Sequence, residues 1–557
     1  MKRIGILIDS LNCDKYLHDT VKELAQNGRV NLFFLLTIDG KPKQHWLKEL
    51  ISKLHTSGLL RFIELAFFDK LTQFEYRILS NSSSQLKAHS KLYNLSDYIN
   101  NNLIHVKRTY SKSALFVRFS DDAINKIKAL NLDLIIKGNA RGIFQGAILR
   151  SAKQGIISFH HGDNRWNRGG PAAFWEVYLH KPSTGFIIQI LTEELDGGSV
   201  IFRGEIPTRR TYTENLVNLY NESYPYLSKV ILAYANSGYL PVAEDKVPYP
   251  ELILKAPSIF QSIKYLLLTG LLLFRLGLNK KVFHKHERWS VAFIASKWQD
   301  AILRDGVQIN NPSNRFFADP FVVTREGKTI CYVEDFCYSR NKGCITAIEL
   351  IDNKTYNILG PVIQEPFHMS FPYLFEYDNH LYMIPETHET NSIRLYKCVN
   401  FPLHWEYQKT LMNNVNTSDS MLFAHKERWW LFTNVAIKNS NDYDSQLFAY
   451  YTDHPLSEEW TPHKNNPLIF NSNIARNGGI LDAGSDSPVR VRQKQGFASY
   501  GSGLTLAKIV DLSLSTYSEV EICEIVPHFY PRIKGCHHLF SNGRYTVFDY
   551  LRLEKSA

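Results

Sequence analysis

From about residue 286 onward one loose unit recurs, and no other feature of the chain restricts its fold as tightly. The copies are FFADPFVVTREGKTICYVEDF from Phe316, FHMSFPYLFEYDNHLYMIPET from Phe367, SDSMLFAHKERWWLFTN from Ser418 and GCHHLFSNGRYTVFDYL from Gly535. Each has a polar entry, an apolar strand, a short polar turn and an aromatic second strand. A fifth, weaker copy is ILDAGSDSPVRVRQKQGFASY. Paired short strands repeating at roughly 50 residues predict an all-β propeller, here with five blades.

Residues 1 to about 240 have a different texture. RIGILID, VNLFFLL, LDLIIKG and GIISFHH read as buried strands, and DKYLHDTVKELAQNG as a helix with a Gly stop. Alternating β and α segments predict a parallel, doubly wound α/β domain. The polar, Ser/Asn-rich section from Gln73 to Asn101 reads as an inserted loop. A chain of 557 residues exceeds one ordinary core. The expected division is 1–240 for the α/β domain, 241–285 for a connector and 286–557 for the propeller.

The connector opens with the Pro-punctuated YLPVAEDKVPYPE and continues as IFQSIKYLLLTGLLLFRLGLNKK. Its uncharged run, Tyr265 to Phe274, is about half of what spans a bilayer. The segment 262–278 therefore fits a helix buried between domains, an interfacial membrane helix or a span. The start, MKRIGILIDS, reads as a first β-strand rather than a signal peptide, since its apolar run stops at Asp9. Seven cysteines without a C-x-x-C exclude a disulfide framework and a zinc ribbon, so no metal is expected, and a reducing, cytoplasmic location is, with membrane association left open. The net charge of +10 suits an anionic substrate, membrane or nucleic acid without choosing among them. Oligomeric state is not legible.

The stretch GIISFHHGDNRWNRGGPAAFWEV places polar residues where an apolar strand runs out. Ligands of doubly wound sheets bind beyond the strands' C-terminal ends. Side chains alternate along a strand, so Ser158 and His160 share one face and His161 takes the other. Gly169 and Gly170 allow close backbone approach, and Pro171 suits the first turn of a helix. Then TGFIIQILTEELDGGSVIFRGEI reads as two strands joined by a turn containing Asp196-Gly197-Gly198.

In this order the segments resemble the N-terminal catalytic domain of the 10-formyltetrahydrofolate-dependent formyltransferases, which include methionyl-tRNA formyltransferase, glycinamide ribonucleotide transformylase and the sugar N-formyltransferases. The resemblance covers about residues 130–235 and implies a Rossmann-like fold with 10-formyltetrahydrofolate as co-substrate. It implies that His160 and Asp196 are catalytic. Ser158 stands where the family has asparagine, a departure that Asn164 or His161 would have to offset. KGNARGI resembles the segment holding the folate, which implies cofactor contacts at Gly138, Arg141 and Ile143, with Gly197 on the turn. Such chemistry needs a donor aimed at the oxyanion and a group to take the amine's proton, both within reach of an imidazole. The C-terminal module of the transfer-RNA enzymes is not apparent, so no nucleic-acid partner is expected.

In the second half NRFFADPF, IRLYKCVNFPLHW, ERWWLF and ARNGGI, with the Phe367 copy above, are similar to the N-terminal domain of plant glucosamine inositolphosphorylceramide transferases, and more broadly to five-bladed glycosidase-type propellers. That implies sugar chemistry. Asp319, Glu334, Asp335, Glu386, Asp419 and Asp549 recur at strand starts and ends, where they either face one another across a sugar site or cap turns and pair with arginines. Asp319 and Glu386 are the first choices for substrate contacts; His368, Arg476 and His538 suit hydroxyls or phosphates. The expectation is an N-formyltransferase acting on a nucleotide- or lipid-linked amino sugar in glycan biosynthesis, with a glycan-handling propeller. The alternatives are a propeller glycosyltransferase or hydrolase beside a degenerate N-terminal domain, and a non-enzymatic glycan-binding protein.

Overall fold

Nine strands build the N-terminal sheet, and their composition explains their direction. The computed structural model describes all residues except 40–57, 82, 100, 112–115, 195–196, 438–439 and 556–557. Strand β1 (Lys2–Ile8) is followed by α1 (Lys15–Ala25), β2 (Val30–Asp39), α2 (Leu59–Ser80) and α3 (Ser84–His89). Next come β3 (Leu103–Tyr110), β4 (Phe116–Phe119), α4 (Asp121–Ala129), β5 (Leu134–Lys137), β6 (Ile143–Phe144) and β7 (Ile156–His160). The unit continues through α5 (Phe174–Tyr178), β8 (Ser183–Ile190), β9 (Ser199–Pro207), α6 (Tyr212–Ser237) and α7 (Ile259–Lys281). The sheet order is β9-β8-β7-β5-β1-β2-β3-β4-β6. The central strands β7, β5, β1, β2 and β3 run parallel. Their near-continuous apolar sequences suit strands covered on both faces. β8 pairs antiparallel with β7 and β9, and β4 antiparallel with β3, so the doubly wound centre has antiparallel flanks.

Three expectations change. Much of Gln73–Asn101 is helical, because α2 continues to Ser80 and the polar run supplies the Ser83 cap of α3, whose side chain accepts from the Leu86 amide. Pro171 lies outside its helix: α5 begins at Phe174, after Ala173 in a left-handed conformation with φ 63°. The apolar helix α7 is not a buried one, since only 11% of its most apolar window is covered.

The chain forms two compact units, Met1–Leu271 and Leu272–Ala557. The second is the five-bladed propeller. Four blades are consecutive: 315–363, 370–413, 417–470 and 477–525. The fifth combines both ends of the unit: strands 539–541 and 546–555 pair with 285–294 and 307–308. The first strands of successive blades neighbour one another around the ring. Glu326-Gly327, Asp378-Asn379 and Lys426-Glu427 are two-residue hairpin loops with positive φ throughout, the geometry matched to strand twist. The first strands at 315, 370 and 417 share a second device. Each carries a bulge holding a residue at positive φ: Asp319 (48°), Phe371 (44°) and Asp419 (48°). A non-glycine there costs about 1–3 kcal/mol, and such strain clusters at functional sites.

Candidate functional site

At the C-terminal end of β7 the sequence turns from strand into a polar loop, and the loop folds back on its own histidine. His160 is buried, with Nε2 2.7 Å from the Asn167 carbonyl oxygen. A nitrogen facing a carbonyl must donate, so the geometry assigns a proton to Nε2. Gly162 is required here, because a Cβ would lie 2.8 Å from His160 Nε2. Asn167 is fully buried; its Oδ1 accepts from the Gly169 amide, while its Nδ2 has no hydrogen-bond partner among the described residues. Ser158 spends its hydroxyl on the Phe159 carbonyl at 3.0 Å. Glu176 of α5 is also fully buried, with no partner for either carboxylate oxygen among the described residues. Burial pushes its carboxyl up to about 7, with its own backbone amide and then His160 pulling the other way. Sequence reading missed Glu176; a lone acid inside the apolar FWEV was its signal.

The two other polar residues proposed for the acceptor separate. His161 points to the opposite face, among the rings of Phe159 (4.9 Å), Tyr220 (4.5 Å) and Tyr224 (5.7 Å). Burial, then His160, push its imidazole down to about 3. Asn164 is held by Arg203, whose Nη2 donates to Oδ1 at 3.0 Å. Asp163 joins Arg165 and Arg203, each at 2.6 Å, and the Arg165 bonds overcome burial to keep its carboxyl below the usual range. Asn164, Arg168, Arg203, Gly197 and Gly198 line a cavity of about 250 Å³. Asp196, the expected partner of His160, lies outside the described residues, as does Leu195.

The expected folate segment follows β5. Gly138 sits where a Cβ would be 3.0 Å from the Leu7 carbonyl oxygen. Asp9, at the end of β1, fixes this loop: it accepts from the Arg141 amide at 3.1 Å and from Arg108 at 2.6 Å, and its own amide donates to Asn139 at 2.8 Å. Gly138 and Arg141 thus stand on one braced loop, whereas Ile143 begins β6 at the far edge of the sheet. Asp9 and Arg108 were invisible as partners from sequence, because the pairing spans 99 residues.

In the propeller the repeat does the assembling. Asp319, Glu334, Glu386, Asp419 and Asp549 come from four different blades and are all buried. His537 bridges two of them, with Nδ1 2.6 Å from Asp549 and Nε2 3.3 Å from Asp319. Asp319, Asp549 and His537 present ligand-type atoms within 4.8 Å of one another, a grouping compatible with a metal ion. Arg476 donates to Asp419 at 2.7 Å, to Asp444 at 2.9 Å and to the Ser418 hydroxyl at 3.2 Å. Ser418 donates to Glu386, and His388 Nδ1 lies 2.7 Å from the other Glu386 oxygen. Burial opposes ionisation of Glu386, yet His388, Arg476 and Ser418 hold it down at about 2. Burial raises Asp319 to about 7 against the pull of His537, and raises Asp419 to about 6 against that of Arg476. Glu334 is raised by burial and by the surrounding carboxylates. His368 lies beside it at 3.7 Å. His538 is fully buried, and neither ring nitrogen has a hydrogen-bond partner among the described residues. Asp335 stands apart as an arginine partner, bound to Arg315 at 2.7 Å and to Thr346 at 2.6 Å.

Residues 301–555 match the family described as glucosamine inositolphosphorylceramide transferase 1, N-terminal. Over 214 residues the chain is 35% identical to glucosamine inositolphosphorylceramide transferase 1 of Arabidopsis thaliana, which covers 38% of this chain and 28% of that protein. The chain thus spans less than a third of that relative's length. It is also 28% identical over 127 residues to methionyl-tRNA formyltransferase of Bacillus cytotoxicus, covering 22% of this chain and 40% of that protein. Among solved structures, a 4-N formyltransferase from Francisella tularensis aligns at 15% identity and a TM-score of 0.26, covering 48% of this chain and 86% of the other. The two resemblances read from the sequence are thus both found, one in each half.

Proposed function

We propose that this chain is an amino-sugar N-formyltransferase whose propeller binds the glycan that carries the amine. The observation that carries the reading is the buried pair at the end of β7. His160 has its Nε2 proton committed to the Asn167 carbonyl, and the Asn167 amide nitrogen beside it has no partner among the described residues. 10-Formyltetrahydrofolate, when bound, supplies a formyl carbon open to attack by an amine. The loop braced by Asp9, the close-packed Gly138 and the cavity beside Gly197 suit such a co-substrate. His160 takes the proton of the attacking amine and returns it to the folate nitrogen as the bond between that nitrogen and the formyl carbon breaks. Asn167 Nδ2 donates where negative charge develops on oxygen, replacing the amide absent at Ser158. The resemblance gives Asp196, which falls between β8 and β9 in sequence, the role of steadying the imidazole. The test incubates the full chain with the folate donor and a panel of amino sugars, and reads formylated product by mass. A formylated sugar that disappears in His160→Ala supports the proposal; no product from any amine, with no donor binding, overturns it.

The propeller axis favours a second activity on the same glycan. Within the axial cluster Glu386 is held low while burial raises Glu334 and Asp319, a divergence of the kind that acid–base chemistry at a glycosidic bond uses. Glycoside turnover abolished by Asp319→Asn and Glu386→Gln, but retained in His160→Ala, would assign it to the propeller.

A further inference from the structure

Helix α7 wears its amphipathicity inside out. Its covered side carries Ser262 and Tyr265. The Tyr265 hydroxyl accepts from the Tyr212 amide at 2.8 Å and donates to Glu75, which ties this half of the helix to the N-terminal unit. The side turned to solvent carries Phe260, Ile263, Leu267, Leu271 and Phe274. These recur three or four residues apart and so form one stripe. Phe260 is 75% exposed, Leu267 68% and Phe274 62%. Val282 and Phe283, just beyond, are exposed as well. A contiguous apolar stripe of this kind marks an interaction surface.

Charge selects the partner. From Leu252 to His286 there is no aspartate or glutamate, while Lys255, Lys264, Arg275, Lys280, Lys281 and Lys285 all fall in this stretch. Cations flanking an outward apolar stripe complement anionic lipid phosphates. The helix is long enough to cross a bilayer by length and composition, but two features oppose crossing. Lys264 and Arg275 leave only the run Tyr265–Phe274 uncharged, about half the ~20 residues required. Tyr265 and Ser262 are also held against protein rather than released to lipid.

We propose that α7 lies in the plane of an anionic lipid surface, with its Phe260–Phe274 stripe at the headgroup–acyl boundary and its cations on the phosphates. Neither catalytic reading above is needed for this. The test is flotation of the full chain with phosphatidylcholine vesicles and with vesicles also containing phosphatidylglycerol. The protein floats with the anionic vesicles and far less with the neutral ones, and salt reverses binding. Leu267→Glu/Leu271→Glu abolishes flotation. Lys280→Glu/Lys281→Glu weakens it by roughly five-fold or more for each cation lost. All substituted side chains are exposed, so circular dichroism and thermal melting of the variants match the parent. The proposal is overturned if the parent chain ignores anionic vesicles. It is equally overturned if the parent is a dimer that Leu267→Glu/Leu271→Glu turns into a monomer, because the stripe then seats a second copy. Resistance to alkaline carbonate in membranes of the expressing cells would show a span and reject the in-plane placement.

Discussion

The two halves assemble buried polar groups by opposite means. At the end of β7 the groups are near in sequence: His160, Asn167 and Glu176 fall within 17 residues, and His160 meets Asn167 because one loop folds back. Along the propeller axis Asp319, Glu386, Asp419 and Asp549 are dispersed over 231 residues and meet because the blades bring their inner strands together: Asp319 and Asp419 sit on first-strand bulges, Glu386 and Asp549 on second strands. Among the described residues the first site leaves polar atoms without partners; the second pairs most of its charges. A site with open valences invites a ligand, whereas a dense ion network first has to hold the ring together.

The widest separation between the halves is expected from His160→Ala. Formyl transfer falls by about 10²–10⁴-fold, measured as kcat with saturating donor, while the propeller's melting transition stays put. Arg476→Ala does the reverse. It strands Asp419 and Glu386 as buried charges and lowers propeller stability by about 3–5 kcal/mol, read by calorimetry as movement of one transition only.

Glu176→Gln sharpens the comparison through pH. The folded carboxyl titrates near 7, above its usual 4.5. Its favourable contribution is therefore complete below about pH 4.5 and lost as pH rises through about 7, on the order of 3 kcal/mol in all. The glutamine variant loses that slope and is more stable than the parent at pH 8 by urea unfolding. Asn167→Leu should reduce kcat by about 10²-fold with KM little changed. Ser158→Ala should have the smallest effect, below about five-fold, since that hydroxyl already serves the Phe159 carbonyl. Equal losses in the two variants would restore Ser158 as the oxyanion donor.

Much of this was legible in sequence, for reasons that can be named. The inner strand pairs of the blades announce themselves by alternation and by turn dipeptides such as Glu326-Gly327 and Asp378-Asn379, whose positive φ values match the hairpin geometry. The central strands of the N-terminal sheet read as apolar runs because both faces are covered. The outer blade strands were not legible: 404–413 is largely exposed, so its sequence carries little pattern. Helix α2 was not legible in the sequence, where its end reads as part of a loop, because its apolar residues include exposed Leu60, Phe74 and Ile78 and blur the period. Within the candidate sites, His160 and Asp319 could be named from their place at strand ends. Asn167 and Glu176 could not, because a buried polar atom without a partner among the described residues is a property of three-dimensional neighbours rather than of residue type.

The fifth blade has a consequence for how the molecule is made. Residues 285–294 pair with 546–555 across ten positions, so the earliest strand of the ring waits for the last. On the ribosome the N-terminal sheet has all its strands once β9 has emerged, but the ring stays open until strand 546–555 has emerged. Asp549 and His537 arrive with or just ahead of that strand, so the axial acids gather only at the moment the ring snaps shut.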